Sequence, residues 1–401
     1  MKVLMLGWEL PPHNSGGLGV ASYNLCKSLA KKNIDIEFIL PYSAPHNIKF
    51  MKITSAQPTF TKTINRTAIA YDSYQYIQND GSEEWLNIFD QQAIYEKYVL
   101  KLVEKMDFDI LHAHDWLTFR AALGVKRFKN VPIILHVHSI ESDRAGSQNG
   151  NPLVKEIEYL ALSLADKIIA VSDLTKNKII EDYNIPADKI EVVHNSFNFD
   201  DIEPLSDETD YKYLATLKQN GYHVITSIGR ITIQKGLPNL LHVFKEIVRL
   251  NPKTMLLIQG NGEQYHELIN LSTDLGIGAN VLFNDFQRGK RLRDSFAIGD
   301  LFVMPSISEP FGLTALESIG YGTPVLISKQ SGVSEILHHC LKVDFWDIKE
   351  MVNQIHSVIN NHSLKTELLN NSKNELFNLS WDHSADKVTN VYQTKLMEIK
   401  T

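Results

Sequence analysis

Short apolar runs alternate with amphipathic stretches along this chain, and a second series of the same kind follows the first. The first series has apolar runs at residues 1–7, 34–40, 109–113, 131–137, 167–171 and 190–193. Amphipathic stretches, such as 20–32 and 153–165, separate these runs. Buried parallel strands read as continuous apolar runs, and strands that alternate with helices form βαβ units. The first half therefore predicts an α/β fold with a parallel sheet.

The second series repeats the same pattern. Its apolar runs are 224–229, 254–260, 280–283, 300–304 and 324–327, and its helical patterns are 237–250, 263–275 and 311–319. At 401 residues the chain exceeds the roughly 250 to 300 residues at which one hydrophobic core stops growing. We therefore expect two Rossmann-like domains.

The predicted boundaries follow from composition. A polar, acidic stretch without periodicity predicts a linker at 198–210, between an N-terminal domain at 1–197 and a C-terminal domain at 211–380. Residues 348–400 predict three helices. We expect the last of them, at 381–401, to pack back on the first domain.

Charge and cysteine content exclude several classes of function. The net charge of -7 and the pI near 6.1 provide no general attraction for nucleic acid. Cys26 and Cys340 lie far apart and outside any paired spacing of metal ligands. No signal peptide and no apolar run of roughly 20 residues is recognisable. We expect a cytoplasmic protein.

A glycine cluster follows the first predicted strand. In open parallel sheets, ligands bind beyond the carboxyl ends of the strands. Gly16 and Gly17 come just before a predicted helix, whose amino-terminal N–H groups suit phosphate. An ordinary glycine turn is the alternative. The GxGxxG spacing of an NAD site is absent.

Histidines and acidic residues follow two other strands of the first half. They occur in His112-Ala113-His114-Asp115-Trp116 and in residues 136–144, which include His138. Isolated histidines at strand ends are commonly packed residues, but two clusters beside a glycine loop favour a functional site. The spacing does not match a zinc motif such as HExxH, so we expect no metal.

Two cations lie in one turn of the second half. Arg230 ends a predicted strand, and Lys235 precedes the next helix. A guanidinium and an ammonium together suit a diphosphate that develops charge as it leaves. A solvated surface pair is the alternative interpretation.

A pair of glutamates occurs in residues 308–317. Pro310 suits a first helical position, which predicts Glu309 at the helix cap and Glu317 two turns further along. One carboxylate can accept hydrogen bonds from sugar hydroxyls while the other holds a ribose. The intervening N–H groups, from Phe311 through Gly312 and Leu313 to Thr314, would lie near phosphate. A capping carboxylate plus an ordinary helical glutamate is the alternative.

These motifs together resemble the retaining GT-B glycosyltransferases of family 4 and the related glycogen and starch synthases. The matching elements are Glu-x7-Glu at 309–317, Gly-Arg-x4-Lys-Gly at 229–236 and Gly16-Gly17-Leu18. The resemblance covers essentially the whole chain. It implies two Rossmann-like domains that face each other across a cleft.

The resemblance also implies roles for individual residues. Arg230 and Lys235 would hold the diphosphate, Glu309 the hydroxyls of the transferred sugar, and Glu317 the ribose. His138 would lie beside the reacting sugar. The His114-Asp115-Trp116 segment resembles that of glycogen synthases, which makes Asp115 a candidate for orienting sugar or acceptor. The implied enzyme is a metal-independent hexosyltransferase without a cofactor.

The acceptor is open at this point. Transfer of glucose from ADP-glucose or UDP-glucose to an α-glucan is the first hypothesis, although Asn14 replaces the lysine usual in glycogen synthases. A lipid-linked or surface-polysaccharide acceptor is the second, and for it only residues 126–129 (Lys-Arg-Phe-Lys) suggest a membrane-facing surface. A noncatalytic protein that binds sugar nucleotides or glucans is the third.

Overall fold

A computed structural model describes residues 1–13, 16–56, 74–77, 83–146, 149–206 and 208–400. The strands within these ranges are β1 (Lys2–Leu6), β2 (Asp35–Leu40), β3 (Lys52–Ser55), β4 (Tyr74–Ile77), β5 (Glu83–Leu86), β6 (Ile110–His114), β7 (Ile133–Val137), β8 (Lys167–Ala170), β9 (Ile190–Val192), β10 (His223–Ile228), β11 (Thr254–Gln259), β12 (Val281–Asn284), β13 (Leu301–Met304), β14 (Val325–Ser328) and β15 (Leu341–Val343). The helices are α1 (Gly17–Lys31), α2 (Ile88–Val103), α3 (Trp116–Lys126), α4 (Glu141–Ala145), α5 (Pro152–Leu164), α6 (Asp173–Tyr183), α7 (Lys212–Gln219), α8 (Leu237–Leu250), α9 (Tyr265–Asp274), α10 (Gly289–Ala297), α11 (Leu313–Gly320), α12 (Ile348–Asn360), α13 (His362–Phe377) and α14 (Trp381–Lys400).

The chain divides into two compact units. The first comprises Met1–Glu141, Gly150–Ser196 and Trp381–Thr401, and the second comprises Ser142–Asn149 and Phe197–Ser380. Each unit has its own parallel sheet and hydrophobic core. The predicted α/β fold with two Rossmann-like halves is confirmed.

The first unit contains a parallel sheet in the order β3-β2-β1-β6-β7-β8-β9. Along β1, side chains alternate between the two faces of the sheet. Leu4 and Leu6 join a buried cluster with residues of α2, α3 and α5, whereas the sulfur of Met5 lies 3.3 Å from that of Cys26 on α1. Helices therefore cover both faces, which is why the strands are apolar throughout. The pair β4 and β5 forms a small separate antiparallel sheet.

The second unit repeats the arrangement in the order β12-β11-β10-β13-β14-β15, again with parallel pairing. Ile225 of β10 packs in a cluster with α8, α9 and α12. Its neighbour Val224 packs on the opposite face with Leu214 of α7. In the first sheet β1 lies between β2 and β6, and in the second sheet β10 likewise lies between β11 and β13.

The C-terminal helix α14 belongs to the first unit and packs against α1. Lys31 and Lys32 of α1 form ion pairs with Asp382 and Asp386 of α14, at 3.1 and 2.6 Å. Among the described residues, we find no helix that combines the length and the apolar composition of a bilayer-spanning segment.

The predicted strands and helices are confirmed, with shifts of a few residues at their ends. The short β3 and β15 and the β4–β5 pair went unpredicted, because strands of three or four residues carry little periodicity. The division into units also differs from the predicted boundaries in two places.

The first difference concerns the predicted linker at 198–210, which belongs to the second unit. Its described residues are held by α10. The Arg293 guanidinium donates to the Pro204 carbonyl at 2.6 Å, and Lys290 forms an ion pair with Asp210 at 2.5 Å. Lys290 and Arg291 of the second unit thus neutralise one carboxylate of the acidic stretch, that of Asp210. Asp207 lies outside the described residues.

The second difference concerns residues 142–149, which the sequence placed in the N-terminal domain. The structure assigns them to the second unit. The Ser308 hydroxyl donates to Oδ1 of the buried Asp143 at 2.5 Å, and Gly146 lies against Ile233. These long-range contacts have no local sequence signature.

Candidate active site

The predicted residues of the first unit lie at the carboxyl ends of β1, β6 and β7. Because β1 lies between β2 and β6, the chain leaves β1 toward one side of the sheet and later returns on the other. This is the topological switch point at which open parallel sheets bind ligands. The loop after β1, Asp115 after β6 and His138 after β7 share this edge.

Glu9 holds the glycine loop. Its buried carboxylate oxygen Oε2 accepts hydrogen bonds from the backbone N–H groups of Gly16 at 2.8 Å and Gly19 at 3.4 Å. These groups lie at the start of α1, where the helix dipole favours negative charge. The sequence predicted that the Gly16 N–H group faces a donor phosphate. In the structure this N–H group instead donates a hydrogen bond to Glu9. A Cβ at Gly17 would meet open space; Asn14 and Ser15 lie outside the described residues.

Asp115 holds the backbone of His138. The Asp115 Oδ1 accepts from the N–H groups of His138 at 2.6 Å and Ser139 at 3.3 Å, and Asp115 is buried. Its φ of +58° is unfavourable for a residue other than glycine, at a cost of about 1–3 kcal/mol. The hydrogen bonds offset this strain. The predicted role of Asp115 toward sugar or acceptor stays a prediction, and its observed contacts make it a positioning residue.

Four histidines form a stacked group, which we call the histidine ladder. His112 and His114 come from β6, and His136 and His138 come from β7 and its end. The strand register pairs His114 with His136, so that all four side chains share one face. The rings of His136 and His138 stack at 4.4 Å, and those of His112 and His114 at 4.5 Å.

Hydrogen bonds link the ladder into two pairs. His114 Nδ1 lies 3.0 Å from His138 Nε2, and His112 Nε2 lies 3.3 Å from His136 Nδ1. The Tyr392 hydroxyl of α14 lies 2.5 Å from His112 Nδ1. The C-terminal helix therefore touches the ladder directly.

Burial keeps the ladder uncharged. Desolvation lowers the pKa of His114 to about 3 and holds the pKa values of the other three histidines well below 6.5. Mutual repulsion between the imidazoles adds to the lowering of the pKa in those three. At neutral pH each ring therefore carries one N–H group and one lone pair.

Among the described residues of the first unit, His112, His114 and His136 form a group that could hold a metal ion. Their ring nitrogens lie within 4.8 Å of one another. A tetrahedral ion with bonds of about 2.0–2.1 Å requires ligand nitrogens roughly 3.4 Å apart, with their lone pairs converging on one point. Stacked rings have nearly parallel planes, so their lone pairs do not converge. The absence of a metal stays a prediction.

The second unit has an equivalent switch point at β10 and β13. Arg230 follows β10, and Lys235 ends the short turn Ile233–Lys235 before α8. Gly236 has φ +62°, and a Cβ there would lie 2.3 Å from the Pro305 carbonyl oxygen. Only glycine permits this close approach of the turn to the loop after β13.

That approach brings Lys235 to Glu309. The Lys235 ammonium donates to Glu309 Oε2, and the Ser306 hydroxyl donates to the same oxygen at 3.0 Å. Both side chains of the ion pair are largely buried, with exposures of 19% and 9%. The Arg230 guanidinium donates to Gln234 within the same turn at 3.4 Å. The two predicted cations thus lie in one loop.

The predicted cap at Glu309 is wrong. Helix α11 begins at Leu313, after Gly312 with φ +110°. Glu309 instead forms a parallel bridge with Ser331: its N–H donates to the Gln330 carbonyl at 2.8 Å, and its carbonyl accepts from Gly332 at 2.9 Å. This long-range pairing satisfies the backbone of Glu309, so the helix starts later than Pro310 suggests.

Helix α11 carries Glu317 as predicted, but about one turn after its first residue, Leu313, rather than two turns after a cap at Glu309. Burial raises the pKa of the Glu317 carboxyl to about 7. No side chain in the described part of the chain caps α11. Its first-turn N–H groups, including those of Leu313 and Thr314, are donors of the kind that bind phosphate. The Phe311 carbonyl accepts from Val333 at 2.7 Å, which anchors the loop before the helix.

Three residues of these sites went unassigned from the sequence. Glu9 and Ser306 have no pattern that points to their partners, and Asp143 reaches Ser308 across 165 positions. A search for acidic residues just before a glycine cluster would have indicated Glu9. Ser306 lies only three positions before its partner Glu309, whereas the contact of Asp143 depends on tertiary structure alone.

Two family profiles match the chain. The profile "Glycosyl transferases group 1" matches residues 215–375, and "Glycosyltransferase Family 4" matches residues 15–201. An uncharacterized glycosyltransferase of Methanocaldococcus jannaschii is 28% identical over 98% of both chains. A glycogen synthase of Mycobacterium tuberculosis is 25% identical over 84% of this chain and 80% of its own.

Solved structures support the fold. A sucrose-phosphate synthase from Thermosynechococcus elongatus matches with a TM-score of 0.76 and 17% identity over 98% of both chains. The catalytic domain of starch synthase IV from Arabidopsis thaliana, bound to ADP and acarbose, matches with a TM-score of 0.70 and 17% identity over 99% of both chains. At this identity the likeness concerns the fold alone.

Proposed function

The chain belongs to the family 4 glycosyltransferases with the GT-B fold, and we propose that it transfers glucose from ADP-glucose or UDP-glucose to an α-glucan. The observation that carries the proposal is the buried cluster of Lys235, Glu309 and Ser306 at the switch point of the second sheet. A cation and a carboxylate held together there suit a ligand that presents phosphate beside sugar hydroxyls.

The second unit supplies the donor contacts in this proposal. Lys235 and Arg230 bind the diphosphate, and the first turn of α11 adds N–H donors. Glu309 accepts hydrogen bonds from hydroxyls of the transferred sugar, and Glu317 accepts them from the ribose. Lys235 and Glu309 already pair with each other, so the two groups are positioned before the donor binds.

The reaction exchanges one bond at the anomeric carbon. The bond from C1 to the diphosphate oxygen breaks, a bond from C1 to an acceptor hydroxyl oxygen forms, and the hydroxyl proton passes to the leaving phosphate. Attack on the face that the phosphate leaves retains the anomeric configuration. Arg230 and Lys235 stabilise the charge on the diphosphate, which is the role that a metal has in other transferases. The M. tuberculosis relative supports glucan as the acceptor.

The test combines donor binding and transfer. The purified chain is mixed with ADP-, UDP- or GDP-glucose, and thermal unfolding identifies the donor that stabilises it. Transfer to glycogen and to maltooligosaccharides is then followed with the donor labelled in the sugar, and NMR determines the configuration of the new linkage. We expect transfer with an α linkage from one or both of the first two donors.

Lys235→Met and Lys329→Met form a matched pair of variants. Each lysine belongs to the second unit and pairs with a carboxylate, Glu309 or Asp344. We expect Lys235→Met to lower kcat/KM at least 100-fold, because a charge-assisted contact to the leaving group is lost, and Lys329→Met to leave it unchanged. Equal rates in the two variants would refute the donor site.

A second candidate acceptor is a lipid-linked glycan, and an exposed apolar face of α5 favours it. Leu153, Tyr159, Leu160 and Leu164 on this helix are each 45–56% exposed. The basic stretch at 126–129 supports a membrane contact less, because Lys126 pairs with Asp166 and Lys129 donates to the Met106 carbonyl. Transfer into lipid extract but not into glycogen would select this candidate.

A further inference from the structure

The two ring nitrogens of His138 have different surroundings. Nε2 lies 3.0 Å from Nδ1 of His114, inside the ladder. Nδ1 has no hydrogen-bond partner within the ranges that the structure describes, and the side chain is partly exposed. A ligand at this sheet edge therefore meets Nδ1. Whether that nitrogen donates or accepts depends on which ring nitrogen carries the proton.

His114 determines the direction of the shared hydrogen bond. Its Nε2 is buried and lacks a partner among the described residues. A neutral imidazole places its single N–H on one nitrogen and a lone pair on the other. A buried N–H without an acceptor is the rarer and costlier arrangement in proteins. The lone pair therefore belongs on Nε2 of His114, and the proton on Nδ1.

With its proton on Nδ1, His114 donates to His138 Nε2. The Ser22 hydroxyl, at 3.5 Å from the same nitrogen, is a distant partner by comparison. His138 Nε2 then carries the lone pair that accepts, and His138 carries its own proton on Nδ1. The low pKa values of both rings exclude a doubly protonated state at neutral pH.

We propose that His114 is a positioning residue that fixes His138 as the Nδ1–H tautomer, so that His138 offers a hydrogen-bond donor to an oxygen of the bound sugar. The role toward the sugar rests on the proposed function. The assignment of the His138 tautomer does not rest on the proposed function, because the tautomer is measured on the protein without substrate. Asp115 contributes by holding the His138 backbone, which orients the ring toward its partner.

NMR of the protein labelled with [15N]histidine tests the tautomer without substrate. The two-bond and three-bond couplings from ring protons distinguish an N–H nitrogen from a bare one, and the spectrum of His138→Gln identifies the resonances of His138. We expect a protonated Nδ1 and an unprotonated Nε2 in the native chain. A protonated Nε2 would overturn the proposal whatever the enzymatic activity.

Three variants separate the hydrogen bond from simple packing. His114→Phe keeps a ring but removes the donor, and because a phenyl ring can accept an N–H on its face but cannot donate, we expect His138 to move its proton to Nε2. His114→Gln retains an N–H donor and should restore the native tautomer. His136→Phe is the matched control, because His136 stacks on His138 at 4.4 Å but bonds to His112. The tautomer of His138 should survive in that control.

Kinetics with the donor identified for the native enzyme supply the second readout. Loss of one neutral hydrogen bond to the sugar predicts a decrease in kcat/KM of about tenfold in His114→Phe. His114→Gln should recover most of it. Two results would overturn the proposal: a His138 proton that stays on Nδ1 in His114→Phe, or a His138 proton that moves to Nε2 in His136→Phe as well. Either would show that packing, rather than the hydrogen bond from His114, determines the tautomer of His138. Absence of any transfer by the native chain would refute the proposed function alone.

Discussion

Replacing Glu317 by glutamine should stabilise the protein at pH 8 and change little at pH 5. Burial raises the pKa of this carboxyl in the folded chain to about 7, from an ordinary value of 4.5. The folded chain therefore holds a proton that the unfolded chain has already lost in this interval. The contribution of this carboxyl to stability is greatest below pH 4.5, decreases as the pH rises toward 7, and is level above that.

The magnitude follows from the two pKa values. Their difference corresponds to about 3 kcal/mol of stability lost between pH 4.5 and 7. Because the side chain is partly exposed, solvent relieves some of this cost, and we expect Glu317→Gln to gain about 1–3 kcal/mol at pH 8. The amide is neutral at every pH, so the variant should lose this part of the pH dependence.

Urea denaturation at pH 5, 6, 7 and 8 measures the effect. Glu367→Gln, which replaces an exposed carboxylate on helix α13, is the control and should follow the native chain. Donor affinity provides the functional counterpart: if the ionised carboxylate binds the ribose, affinity should increase as the pH rises through 7, and only Glu317→Gln should lack that increase. A stability difference that is equal at pH 5 and pH 8 would refute the reasoning.

Three further substitutions test the scaffold by chemical denaturation. Gly312→Ala should cost about 1–3 kcal/mol, because alanine is strained at φ +110°. Asp115→Ala should cost about 2 kcal/mol or more, since it leaves two partly buried N–H groups without their acceptor. Glu9→Gln should cost about 1 kcal/mol, because it removes negative charge from the start of α1.

Each of these has a result that would contradict it. If Gly312→Ala left the free energy of unfolding unchanged, helix α11 would tolerate a residue other than glycine at its N-cap. If Asp115→Ala were as stable as the native chain, its hydrogen bonds to residues 138–139 would not hold the loop. A stable Glu9→Gln with unchanged donor affinity would indicate that the charge of Glu9 has no role at α1.

The alternation of apolar runs determined the fold class, because burial of a parallel strand on both faces leaves a local signature in its own residues. The same local logic placed Arg230, Lys235, His138 and Glu317 at strand ends or on a following helix. The family motifs then indicated the chemistry, and the family comparisons confirmed the class of enzyme.

Tertiary structure alone decided how those residues are held. Glu309 departs from its predicted cap because its backbone pairs with residues 330–332, and residues 142–149 join the second unit through Ser308. The Glu9 carboxylate accepts a hydrogen bond from the Gly16 N–H group. The register of β6 against β7 places the histidine side chains so that their rings stack. Each of these depends on a partner distant in the chain, which no local pattern specifies. The sequence thus determined which candidate site residues lie at the strand ends, and long-range contacts decided how their side chains and backbone are held.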